Sequence, residues 1–377
     1  MKNSKFPGIS VAILLLAGLI VAGACSTSPE QAAIDSFKNK PFIFQRGVNI
    51  SHWLSQSNRR GQDRKNAFTQ TDMDFIASQH FDHVRIPIDE EQMWDSLGNR
   101  HADAFQLLNQ GIRWAAMNQL RVVVDLHILR SHYFNSAVKP LWTQTSAQEK
   151  FYGLWKDLSA DLKKYPNGLV AYEPMNEPVA DDPQIWNRVF ARALAVVREN
   201  EPKRKVIIGS NRWQSVHTFH DLALPPGDAN LILSFHFYMP MALTHHMASW
   251  VDLKDYKGPV YYPGLTVKGE DLKGLDPELV KRLKAEQKVF TRDSLEALMQ
   301  EPISMAAKLG LPLYCGEWGC LKTAPDSARY AWYRDMRYSL EKNNIAWAIW
   351  DYKGGFGIIL GDTSHTDSEL IRILTGE

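Results

Sequence analysis

The run Leu169-Val170-Ala171-Tyr172-Glu173-Pro174-Met175-Asn176-Glu177-Pro178 begins apolar and ends on polar groups. A short, near-continuous apolar stretch is the pattern of a parallel strand buried on both faces. Behind it, Asp182-Pro183 reads as an N-cap followed by proline at the first helical position. Ile185, Val189, Phe190 and Leu194 then recur at helical spacing. The same unit repeats along the chain. Candidate strands fall at 42–50, 82–88, 121–127, 169–177, 205–209, 230–238, 312–318 and 346–352, with helical patterns between them. Ser146-Ala147-Gln148-Glu149 and Thr366-Asp367-Ser368-Glu369 read as capping boxes ahead of two of these helices.

Eight strand–helix units predict an α/β fold of the closed kind, a (β/α)8 TIM barrel spanning 41–377 as a single domain. No Gly-x-Gly-x-x-Gly follows the first strand, which argues against a dinucleotide-binding sheet. The 377 residues fit one such barrel. With 43 basic and 42 acidic side chains, the charge gives no long-range pull toward nucleic acid or an anionic membrane surface. Residues 239–290 form an unusually long connection, read as a loop over the mouth, with a short helix expected to begin at Asp276-Pro277.

The amino terminus reads as an export signal over 1–24: Lys2 and Lys5, an apolar run, then Ala22-Gly23-Ala24-Cys25. Small residues ending in cysteine resemble a lipoprotein cleavage site, which would leave Cys25 lipidated and 25–40 as a polar tether. The chain would then touch a membrane only through that anchor, at the periplasmic or cell-surface side. Cys315 and Cys320 remain, and their spacing fits either a disulfide or two quiet thiols.

In such barrels the functional groups sit at the C-terminal ends of the strands. Those ends carry Asn49, Arg85, His127, Asn176, Glu177, Asn211, His236, Tyr238, Glu317, Trp350 and Asp351. Each has a structural explanation: a satisfied core histidine, a buried ion-pair arginine, a carboxylate at a helix start. Gathered in one ring they demand a task, since burying them unpaired would cost several kcal/mol each. Glu177 ends the fourth candidate strand and Glu317 the seventh, so the two face each other across the mouth. Two converging carboxyls are what glycosidic cleavage needs, one to protonate the leaving oxygen and one on the opposite face. A metal-hydrolase alternative would draw on Asp125, His127, His236 and His245-His246, but no His-x-His marks the first strand.

At these residues the chain resembles glycoside hydrolase family 5, the cellulase family. Asn176-Glu177-Pro178, His236-x-Tyr238 and Gly316-Glu317-Trp318 follow that family's order on successive strands. The resemblance implies Glu177 as acid/base and Glu317 as nucleophile. It implies Arg85, His127, Asn176, His236 and Tyr238 as supporting residues, and Trp350 as a sugar platform followed by a cis peptide. Trp53, Trp213 and Trp318 are further stacking candidates. The implied activity is retaining hydrolysis of a β-linked glucan polysaccharide or oligosaccharide, with no cofactor and no metal, by a monomer. A β-mannanase or another β-glycanase, or a non-catalytic carbohydrate-binding lipoprotein, is the alternative. Arg85 and Tyr238 are expected to lower the pKa of Glu317, and its charge to raise that of Glu177.

Overall fold

In the computed structural model, which describes residues 1–4, 28–359 and 365–376, eight parallel strands close into a barrel. They are β1 (Arg46–Asn49), β2 (His83–Asp89), β3 (Arg121–Ile128), β4 (Val170–Glu173), β5 (Val206–Gly209), β6 (Leu231–Phe237), β7 (Leu313–Trp318) and β8 (Ala346–Ile349). β1 pairs with β8 to complete the ring. Nearly every strand residue is buried, because helices cover the outside and side chains fill the inside. Six strands fall within the stretches read from sequence, and β2 and β3 run one residue past theirs.

Several are shorter than expected, and the excess has other uses. Phe42 and Phe44 precede β1 and plug the base, where they cluster with Val123, Ala171, Ile207, Ile232 and Tyr314. β4 stops at Glu173, ahead of Pro174, which has no N–H to give the ladder. Glu177 therefore stands four residues past the strand, on a loop, with a left-handed φ of 44°. A non-glycine residue held there is strained, a state that needs support from its surroundings.

Asp182 caps the helix Pro183–Arg198 as expected, accepting from the Gln184 N–H at 2.9 Å. The two capping boxes do not form. Helix Thr145–Leu162 begins behind Gln144, which makes no side-chain cap bond. Helix Ser368–Thr375 is capped by Asp367, whose carboxylate accepts from the Leu370 N–H at 3.0 Å. The cap lies two residues before the motif's first hydroxyl in the former and one residue after it in the latter.

The segment expected to be a polar tether is partly structured. Pro29–Asp35 is a helix packed on helix Ala102–Met117, and Ile34 and Phe37 join the core. These two apolar side chains override the polar composition around them. Cys25 and most of the export signal lie outside the described residues.

Residues 239–290 divide into two parts. The first part borders the mouth: Ala248 clusters with Leu321, Trp350 and Phe356. The second carries the short ribbon Gly264–Leu265 with Val289–Phe290 and the helix Pro277–Ala285 behind its Asp276 cap. It lies on the barrel flank, where Leu279, Leu283 and Phe290 enter the main core.

Candidate active site

The barrel interior is filled in layers, with residues two apart on a strand facing the same way. Above the apolar base, β2, β3 and β4 turn Arg85, Asp125 and Glu173 inward, all fully buried. Arg85 is the hub. Its Nε donates to Glu173 Oε2 at 2.7 Å, and Nη1 to Glu317 Oε1 at 2.7 Å and Asn49 Oδ1 at 2.9 Å. Nη2 donates to Asn176 Oδ1 at 2.9 Å and lies 3.0 Å from Asp125 Oδ2.

Glu317 reaches this layer through a bulge. Between β6 and β7 the register runs Phe235 to Cys315 and then His236 to Glu317, which skips Gly316. The same shift appears against β8. Tyr314 faces inward, so strict alternation would send Glu317 outward. One extra residue re-aims it into the barrel, a common use of a bulge beside an active site. Glycine suits the position, because a Cβ there would meet Ser234 Oγ at 3.1 Å and His236 Nε2 at 3.3 Å.

Above the hub the two carboxylates converge. An oxygen of Glu177, an oxygen of Glu317 and a ring nitrogen of His236 lie within 4.8 Å of one another. His236 Nδ1 is 2.9 Å from Glu177 Oε1, and the Tyr238 hydroxyl donates to Glu317 Oε2 at 3.1 Å. Burial raises the pKa of Glu177 well above the carboxylate range, and the charge of Glu317 raises it further. Burial also raises Glu317, opposed by Arg85. The expected lowering of Glu317 is thus reversed in net direction, because removal from water outweighs the guanidinium. Glu317 remains the more acidic of the two.

His127 donates through Nδ1 to Asp125 Oδ2 at 2.7 Å and stacks on Trp350 at 5.4 Å. Burial holds it neutral, with its pKa down at about 4, and burial likewise pushes Asp125 up to about 7. Asn176 is buried and its Nδ2 has no hydrogen-bond partner, which leaves a donor free in the cleft. The Trp350-Asp351 peptide is cis, and the Asp351 carboxylate accepts from Ser51.

Two tryptophan candidates fail. Trp53 is 1% exposed, with its indole N–H on the Arg64 carbonyl at 3.1 Å and its ring against Phe68. Trp318 is fully buried among Trp332, Tyr333 and Trp347. Both point outward into the helical layer. Trp213 is 44% exposed, at the rim of β5. Asn211 is structural: it ties the backbone of Ala180 through both its amide atoms. His246, weighed from sequence as a metal ligand, has both ring nitrogens on the carbonyls of Thr323 and Gly258. Cys315 and Cys320 are buried free thiols.

Sequence reasoning passed over Glu173 and Gln214 and weighed Asp125 only as a metal ligand. The available signal was an ionisable side chain inside an otherwise apolar strand. Gln214 had none. It ends three consecutive left-handed residues, Arg212, Trp213 and Gln214, with φ of 55°, 62° and 53°. Each costs about 1–2 kcal/mol.

A parallel barrel that brings two buried carboxylates together at the C-terminal ends of its strands is built as a barrel glycoside hydrolase. The chain belongs to the cellulase family, glycosyl hydrolase family 5, whose model matches residues 39–355. It is an O-glycosyl hydrolase.

The chain is 28% identical over 339 residues to endoglucanase C of Acetivibrio thermocellus, covering 88% of this chain and 98% of that one. It is 26% identical over 305 residues to cellodextrinase A of Ruminococcus flavefaciens, covering 80% and 83%. Among solved structures, Cel5A of Thermotoga maritima in complex with mannotriose matches with a TM-score of 0.70 at 25% identity, covering 91% and 99%.

Proposed function

We propose that the protein cleaves β-linked glucan chains by double displacement, with Glu317 as nucleophile and Glu177 as acid/base. The observation that carries this reading is the separation of the two carboxylates. Their nearest oxygens, within 4.8 Å, suit the roughly 5 Å spacing of retaining enzymes better than the roughly 6.5–9.5 Å of inverting ones.

Glu177 holds its proton because it is buried beside a second carboxylate. As Glu317 attacks the anomeric carbon, the glycosidic C–O bond breaks and the Glu177 proton passes to the leaving oxygen. The ester at Glu317 removes the neighbouring negative charge, so Glu177 becomes the stronger acid. Glu177 then takes a proton from water, whose oxygen attacks the same carbon and releases Glu317. The free Asn176 Nδ2 is placed to bond the sugar 2-hydroxyl, a contact that strengthens in the transition state. Trp350, and Trp213 at the rim, supply apolar faces for sugar rings.

The glucan assignment follows the names of the endoglucanase and cellodextrinase relatives. Mannan is the second reading, because mannotriose occupies the Thermotoga structure. The deciding experiment is hydrolysis of a panel of β-glucans and mannans, with product lengths measured and the anomer released followed by NMR. Glucan turnover with β product first is expected. Initial release of the α anomer would overturn the mechanism, and mannan-only turnover the substrate.

The leader and Cys25 support export and lipid anchoring, which metabolic labelling with a fatty acid in the native host and a Cys25→Ala comparison would test.

A further inference from the structure

We propose that Glu173, braced by Gln214, is a positioning residue that fixes Arg85 so that one arm of the guanidinium holds Glu317 and the other holds Asn176. A guanidinium is a planar, rigid fork, so the direction of its Nε–H sets where both Nη groups point. Glu173 Oε2 accepts from that Nε at 2.7 Å. The two Nη groups then reach Glu317 at 2.7 Å and Asn176 at 2.9 Å, the groups assigned above to the anomeric carbon and the 2-hydroxyl. A small rotation of Glu173 would therefore misplace both at once.

Glu173 is itself prevented from rotating. Its other oxygen accepts from Gln214 Nε2 at 2.9 Å, and Gln214 is fully buried. Two features of the chain exist where Gln214 needs them. The strained left-handed run 212–214 folds the side chain back beneath the rim. Gly209 leaves it space, since a Cβ at that position would lie 2.4 Å from Gln214 Oε1. A residue needed only to neutralise Arg85 would require neither, because Asp125 already stands 3.0 Å from the same guanidinium.

The inference rests on the roles proposed for Glu317 and Asn176, and the experiment separates the two. Full-length Glu173→Gln, Gln214→Met and Glu317→Ala variants are assayed on an aryl β-glycoside and its 2-deoxy analogue, with melting temperatures recorded. Glu173→Gln is expected to lower kcat about 10–100-fold and Gln214→Met about 10-fold, with KM within about threefold, as for misplacement of reacting groups. Both should also shrink the rate penalty for deleting the 2-hydroxyl, which a purely structural role would leave unchanged. An unaltered kcat, or an unaltered 2-hydroxyl penalty, in folded variants of both Glu173 and Gln214 would overturn the inference while a dead Glu317→Ala left the nucleophile assignment standing. An active Glu317→Ala would overturn that assignment instead.

Discussion

Two layers inside the same barrel have opposite chemistry. Val123, Ala171, Ile207 and Ile232 line the base, sealed by Phe42 and Phe44. Two residues further along the same strands stand Asp125, Glu173, Gly209 and Ser234, about 6.6 Å higher at the usual strand rise. The lower layer loses nothing by leaving water. The upper one carries buried charges that would cost several kcal/mol each if unpaired. Arg85 offsets part of that cost and, in doing so, fixes the groups around the cleft. The fold thus separates what holds the barrel closed from what acts on substrate by a single pleat.

The largest effect should come from the upper layer. Glu317→Ala is expected to lose at least about 10⁴-fold in turnover, as when a nucleophile is removed. Azide, small enough for the vacated space, should restore cleavage of an activated substrate as an α-glycosyl product. A β-glycosyl azide would contradict the double displacement. Glu177→Ala should lose about 10²–10⁴-fold on substrates with poor leaving groups, and less on activated ones in the first step. Equal losses on both would remove the acid assignment.

The lower layer should answer differently. Ile207→Ala creates a cavity beneath the site and is expected to cost about 2–5 kcal/mol of stability, read from denaturant melts. Below its own unfolding transition, kcat should stay near the wild-type value. A parallel fall in kcat would mean that the layers are not independent.

This division also explains what was legible in the sequence. Barrel strands announce themselves as short apolar runs, and Glu177, Glu317, Arg85, His236 and Tyr238 stood out as polar groups near their ends. What escaped notice depends on register and direction. The Gly316 bulge is a one-residue slip, and no composition marks it, yet it decides whether Glu317 faces the cleft or a helix. Trp53 and Trp318 have the right chemistry near the right strand ends but face outward. Gln214 reaches Glu173 only through a backbone turn that no local propensity favours. The helix starts behind Gln144 and Asp367 show the same limit on a smaller scale, since in each the expected capping hydroxyl lies within two residues of the actual cap.

The smallest expected effect is a pH dependence of stability that belongs to the upper layers alone. Burial raises Asp125 to about 7, and Asp89, at the end of β2, to about 6. Both exceed the value of about 3.9 that an aspartate has in an unfolded chain. The folded state therefore favours their protonated forms. The stability they lend is complete below about pH 4 and is lost as the pH rises through about 6 to 7, because the unfolded chain ionises first. Glu177, also raised by burial, acts with the same sign. Buried histidines held neutral, such as His127, act with the opposite sign below about pH 6.5, so the contribution is read by difference: from pH 5 to pH 8 the wild type should lose melting temperature relative to Asp125→Asn, since an amide does not titrate. Ile207→Ala should instead lower the whole curve with its slope unchanged. If Asp125→Asn left the slope intact, the proton would reside elsewhere in the Arg85 cluster, with Glu173, also raised by burial, as the next group to neutralise.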